Sequence, residues 1–230
     1  MIGIIGAMAV EVEEILEQME KNQEETFSGI TYHTGSISGR ECVVAQCGVG
    51  KVAAAVCAQT MILRYSPTAL INVGVAGGIG TDIHIGDIVV SSGLVQHDMD
   101  TSALGDPKGY LSGLGIVKLP ADVSLASAVN DAALSIYPPE KIHTGIIASG
   151  DQFISGAEKL DEIAEEFGAS ACEMEGASIA QVCKMNETGF VVIRSISDNA
   201  NDSAAVDFTR FAVESAHLLT RLICTVLPKL

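Results

Sequence analysis

Short apolar runs ending in glycine alternate with segments of helical periodicity along almost the whole chain, and this alternation constrains the fold more than any other feature. Ile2–Gly6 reads as a buried strand. Val12, Ile15, Leu16 and Met19 then fall at i, i+3, i+4 and i+7 of a helix whose solvated face carries Glu13, Glu14, Glu17 and Glu20. Residues 31–37 and 41–47, split by Ser38-Gly39-Arg40, predict a hairpin. An Ala-rich helix runs from 51 to about 64, with Pro67 closing the connection. Strands follow at 69–73 and 87–95, and a Gly-, Ser- and Asp-rich loop occupies about 96–119.

The second half repeats the rhythm. Helices are predicted at 123–135, 157–166, 175–185 and 207–227, and strands at 144–148, 170–173 and 190–196. Gly189 takes the C′ place ahead of the last strand. No linker, repeat or low-complexity segment divides the chain. The expectation is therefore a single α/β domain over 1–230, a mostly parallel β-sheet flanked by helices on both faces. Ligands in such folds bind at the carboxyl ends of strands.

Charge and cysteine usage exclude several function classes. The net charge of −16 argues against nucleic acid and anionic membrane as partners, since both need a basic face. Calcium-loop spacing is absent. The six cysteines (Cys42, Cys47, Cys57, Cys172, Cys183 and Cys224) form no C-x-x-C pair, so zinc-ribbon and thioredoxin chemistry lack their spacing. The N-terminal residues have no basic n-region, and no uncharged, strongly apolar stretch of membrane-spanning length is present. A cytoplasmic protein with reduced thiols is expected.

Several motifs carry less than their outline suggests. Gly48-Val49-Gly50-Lys51-Val52-Ala53 follows a strand and opens a helix, as a dinucleotide loop does. The ribose-binding acid expected some twenty residues later is missing, because the next acid is Asp82. Val52 also stands where a Walker loop needs Ser or Thr. Gly74-Val75-Ala76-Gly77-Gly78-Ile79-Gly80 lets backbone approach a ligand closely, and equally suits a tight strand-to-helix turn. His97-Asp98-Met99-Asp100 has no second ligand set nearby in sequence, so neither a metal nor any other cofactor is expected. No G-x-S-x-G elbow occurs.

Four strand ends carry the informative polar residues: Glu11, the glycine cluster, Glu173-Met174-Glu175, and Ser197-Asp198-Asn199. Arg194 lies inside an apolar strand, where a guanidinium must be paired or costs several kcal/mol.

Together these segments resemble the methylthioadenosine/S-adenosylhomocysteine nucleosidases, of the nucleoside phosphorylase superfamily. The likeness runs through Ile4-Ile5-Gly6-Ala7-Met8 with Glu11, Gly48-Val49-Gly50-Lys51-Val52-Ala53-Ala54, and Asn72-Val73-Gly74-Val75-Ala76-Gly77-Gly78. It continues through Gly86-Asp87-Ile88-Val89, Ser149-Gly150-Asp151-Gln152-Phe153, Glu173-Met174-Glu175-Gly176-Ala177 and Arg194-Ser195-Ile196-Ser197-Asp198. The early glutamate, E-M-E and R-x-I-S-D are its specific parts. The resemblance implies a single-domain, nucleoside phosphorylase-like mixed sheet, a homodimer, and hydrolysis of the N-glycosidic bond of methylthioadenosine and S-adenosylhomocysteine within methionine salvage. The resemblance also brings 5′-deoxyadenosine and aminodeoxyfutalosine into the expected substrate range.

By that resemblance, Asp198 protonates adenine, Ser197 orients Asp198, and Glu11 activates the attacking water with Arg194 placing it. To act as an acid near neutrality, Asp198 needs a raised pKa. Glu175 holds the ribose hydroxyls and favours the developing cation. The rest of the implied substrate pocket is Met8, Val49, Val75, Ala76, Gly77, Phe153, Ile154, Glu173, Met174 and Phe208, with Phe153 stacking on adenine. Val75 stands where many relatives have serine. Leu104 stands where many have a phenylalanine that caps the partner's site. A purine nucleoside phosphorylase is the nearest alternative, but it needs cations after the first strand, where this chain has Ala9-Val10-Glu11-Val12-Glu13-Glu14. A non-catalytic nucleoside binder would have no use for Glu11.

Overall fold

The computed structural model describes residues 1–198 and 204–230, and the side chains of these apart from Ala157 and residues 204–210. Strand β1 (Ile2–Gly6) lies between β4 (Arg40–Gln46) and β5 (Ala69–Gly78), parallel to both. β10 (Gly189–Asp198) runs parallel to β5 on its other side. β6 (Ile88–Gln96) is antiparallel to β10 and parallel to β8 (Ile142–Ser149), which is parallel in turn to β9 (Ala169–Glu173). β9 then returns to β5 through the Gly77–Cys172 and Gly78–Ala171 pairs. Five strands thus close into a ring, β5-β10-β6-β8-β9, from which β1 and β4 extend as an open wing. The two-residue β7 (Leu119–Pro120) pairs with β6.

Helices cover both faces, as expected. On one face, α1 (Ala9–Glu17), α3 (Val123–Leu134) and α6 (Ala204–Val226) pack Val12, Ile15, Val129, Leu219 and Ile223 on Ile4, Ile71, Val73 and Val191. On the other, α2 (Lys51–Tyr65) and α5 (Gly176–Met185) pack Ala58, Met61, Ile179 and Cys183 on Ile5, Val43, Leu70 and Val192. α4 (Ala157–Phe167) closes the β8–β9 side with Leu160 and Ile163. The continuous burial of β1 and β10 follows from this double cover.

Two local expectations need correction. The run ending at Glu20 is not wholly helical: α1 stops at Glu17, and Glu20–Phe27 forms an additional strand, β2, antiparallel to β3 (Ile30–Ile37). Its glutamates and lysine blunt an exposed sheet edge. The glycine cluster is not a turn into a helix, since β5 runs unbroken to Gly78. At Gly74 a Cβ would stand 2.6 Å from Glu11 Oε1 and 3.0 Å from Arg194 Nη1, so glycine there lets a strand pass two charged groups.

Candidate active site

The carboxyl ends of β1, β5, β9 and β10 meet the turns after β4 and β8 around a cavity of about 190 Å³. Met8, Glu11, Val49, Val75, Ala76 and Gly77 line it. So do Phe153, Ile154, Glu173, Met174 and Glu175, with Ser197 and Asp198 from the end of β10. Phe208 lies outside the residues whose side chains are described, and Asn199 outside the described residues altogether. The sequence reading passes over Ala7, Gln152 and Cys172, which also line the cavity. Their signal was positional, since each directly adjoins a residue already placed in the site. Burial pushes the Cys172 thiol up to about 12, with the charges of Asp198 and Glu173 adding to it, so this side chain is a neutral part of the wall.

Glu11 is the third residue of α1, and its carboxylate turns back over the helix start. Oε2 accepts the Ala7 and Met8 N–H groups at 2.7 and 2.9 Å, and Oε1 accepts the Val75 N–H at 3.1 Å. Helix starts leave such donors free, and the helix dipole favours an anion there. Burial raises the Glu11 pKa, while Arg194 and these amides pull against it. The result is a desolvated carboxylate fixed by three main-chain donors.

Glu173, in the wall itself, is held by Arg194 from behind it. Arg194 Nη2 bonds to the Glu173 carboxylate and, at 2.6 Å, to Asn72 Oδ1, while Nη1 bonds to the Ile193 carbonyl at 3.3 Å. Arg194 does not line the cavity, so it acts on Glu11 through its charge, across the position where Gly74 has no side chain. The other contacts of Glu173 are internal. It accepts the Ser149 hydroxyl and the Glu175 and Gly176 N–H groups at 3.0 and 2.7 Å, which caps the first turn of α5. Burial would raise the Glu173 pKa, but Arg194 and these donors hold it below the usual range.

Glu175 shares the same guanidinium with two other acids. Burial, and then the charge of Glu173, push its pKa up to about 7. Its Oε1 accepts the Gly50 N–H at 2.8 Å, and the next amide, Lys51 N–H, donates to Asp151 Oδ1 at 2.8 Å. The α2 start therefore binds two of the protein's own carboxylates at the place where a dinucleotide loop would hold phosphate. Asp198 owes its direction to a β-bulge between Ile196 and Asp198, which brings the consecutive Ser197 and Asp198 both to the cavity. The Ser197 hydroxyl donates to Asp198 Oδ2 at 2.9 Å.

The model of the phosphorylase superfamily matches residues 1–228. A 5′-methylthioadenosine/S-adenosylhomocysteine nucleosidase from Shewanella pealeana is 41% identical over 230 residues, covering 100% of this chain and 99% of its own. The crystal structure of the nucleosidase of that name from Neisseria meningitidis, in complex with methylthio-immucillin-A, superposes with a TM-score of 0.96. It is 33% identical and covers 100% of this chain and 99% of its own. A structure described as futalosine hydrolase of Helicobacter pylori gives a TM-score of 0.95 at 35% identity, covering 100% and 97%.

Proposed function

The chain belongs to the 5′-methylthioadenosine/S-adenosylhomocysteine nucleosidases of the phosphorylase superfamily, and on that premise we propose how its cavity divides the work of cleaving adenine from a 5′-thioribose. The reaction is hydrolysis of an N-glycosidic bond. It needs a proton donor at the base, a water at the anomeric carbon, and negative charge beside an oxocarbenium-like ribosyl centre.

Asp198, oriented by Ser197, gives its proton to the imidazole ring of adenine. Glu11 accepts the proton of the attacking water. Glu175 takes the ribose hydroxyls and stabilises the cation as charge develops. Phe153 stacks on the base, with Ile154 beside it. Met8, Val49 and Met174 enclose the sugar and its 5′ group. Glu173 in the wall and Arg194 behind it hold the carboxylates in place. Small apolar pockets discriminate weakly, about 1–3 kcal/mol per methylene, so methylthio, homocysteinyl and larger 5′ groups are all accepted. The futalosine hydrolase among the structural relatives supports that breadth.

One observation carries the choice of water over phosphate. Three main-chain N–H groups that could hold an oxyanion are already filled by the Glu11 carboxylate. A phosphate about 4 Å from it would be repelled by about 4 kcal/mol per unit charge at an effective dielectric of 20. Adenine release from methylthioadenosine tests the assignment of roles. Glu11→Gln and Asp198→Asn should each lose about 10²–10⁴ in turnover, and wild-type turnover in both would sink it.

We further propose a cytoplasmic homodimer that serves methionine salvage. Val52, Val56 and Leu63 form an exposed apolar stripe on α2, with Met185 exposed at the end of the adjoining α5. Leu104 is 83% exposed in a short turn at 102–104 and does not line its own cavity, which suits a side chain that caps the partner's site. Sedimentation at working concentration should give twice the 23.9 kDa chain mass, and a monomer would contradict the reading.

A further inference from the structure

His97, directly after β6, takes no part in the chemistry above, yet it is more than nine-tenths buried. Neither of its ring nitrogens has a hydrogen-bond partner among the described residues. A buried polar group in that condition calls for an explanation. The ring lies against the backbone of Gly150. A Cβ at 150 would overlap its Nε2 and stand 2.5 Å from Cε1. Gly150 has no left-handed φ that would itself demand glycine, so the ring imposes the glycine.

The surrounding contacts converge on the same short turn. The His97 N–H donates to the Ser149 carbonyl at 3.0 Å, and the Gly150 N–H donates to the Glu173 carbonyl at 3.1 Å. Asp98 accepts the Asp151 N–H at 2.9 Å and is itself held by Lys51 Nζ at 2.6 Å. The residues that follow, Gln152, Phe153 and Ile154, line the cavity.

We propose that His97 is a positioning residue for the turn 150–154, a rigid post against which Gly150 packs, so that Phe153 and Ile154 are presented to the adenine end of the substrate. The ring works by shape. Burial lowers its pKa and favours the neutral ring; of the facing charges, Lys159 on α4 and Lys51 on α2 act in the same direction, while Asp98 after β6 and Glu173 on β9 oppose them. The role rests on the assignment of Phe153 and Ile154 to the base, so the test has one readout that needs the reaction and one that does not.

Gly150→Ala, His97→Ala and the double variant are compared with wild type. Gly150→Ala should raise KM for methylthioadenosine about tenfold, with kcat within about twofold. It should also speed hydrogen exchange in the peptide spanning 149–155. In the double variant the space vacated by the ring accepts the new methyl, so both KM and exchange should return at least halfway to wild type. That compensation is not expected of two unrelated destabilising changes, whose effects add. Wild-type behaviour of Gly150→Ala, or a double variant as impaired as the two single effects combined, would overturn the proposal. If wild type releases no adenine, the functional reading fails, while compensation in exchange alone still decides the role of His97. A melting curve on each variant separates a loosened turn from an unfolded chain.

Discussion

Replacing Glu173 by glutamine keeps the side chain's shape and removes its charge, which isolates what the buried pair with Arg194 contributes. Both side chains are almost fully buried, at 3% and 2% exposure. Breaking such a pair by neutralising one partner leaves an under-compensated charge and costs about 3–5 kcal/mol. For a chain of this length, 1 kcal/mol moves the melting temperature by about 2–4 °C, so Glu173→Gln should melt about 6–20 °C lower at fixed pH and protein concentration. A second readout goes the other way. The charge of Glu173 is one of the causes that raise the Glu175 pKa, so its removal should move the acid limb of kcat/KM to lower pH. Differential scanning calorimetry and a pH–rate profile give both numbers from one preparation. A melting temperature unchanged or higher than wild type would mean that mutual repulsion of three carboxylates around one guanidinium outweighs the pair, contrary to this prediction.

Glu175 gives a stability prediction of defined sign. Its folded pKa of about 7 lies above the usual 4.5, so the folded state keeps a proton that the unfolded chain releases. This group's contribution therefore favours folding at low pH and is lost as pH rises from about 4.5 through 7. Glu175→Gln should melt higher than wild type at pH 8, with the gap closing toward pH 5, and a constant gap would contradict the raised pKa. In wild type, kcat/KM should fall as pH drops below about 7, because the role proposed for Glu175 at the ribose hydroxyls needs the ionised carboxylate. Gly50→Ala places a side chain at φ +99°, 3.1 Å from Asp151 Oδ1. It should cost about 1–2 kcal/mol of stability and raise KM severalfold by moving the N–H that holds Glu175, as urea unfolding and steady-state kinetics would show.

Much of this architecture is written locally in the chain. The apolar runs of β1 and β10 and the 3.6-residue periodicity of α1 are signals of backbone and burial, and they place Glu11 and Arg194 correctly at or inside strand ends. β2 was illegible because an exposed edge strand has no buried face to impose period-two alternation, and E-K-N-Q-E-E-T-F carries none. Closure of the ring depends on two residue pairs between β5 and β9, which are remote in sequence and made of Gly, Ala and Cys. Simple alternation would send Ser197 and Asp198 to opposite faces, and only the bulge brings both to the cavity. Arg194 was legible as a cation that must be paired. Its place behind the wall was not, because that depends on Asn72 and Glu173 reaching it from other strands.

In the proposed reaction Glu11 fills the oxyanion position with its own carboxylate, and water is the nucleophile. Adenine release from methylthioadenosine, followed side by side in phosphate-free buffer and in excess phosphate, tests it most directly. Equal rates are expected in both, with free methylthioribose as the sugar product. Release that requires phosphate and yields methylthioribose 1-phosphate would contradict it.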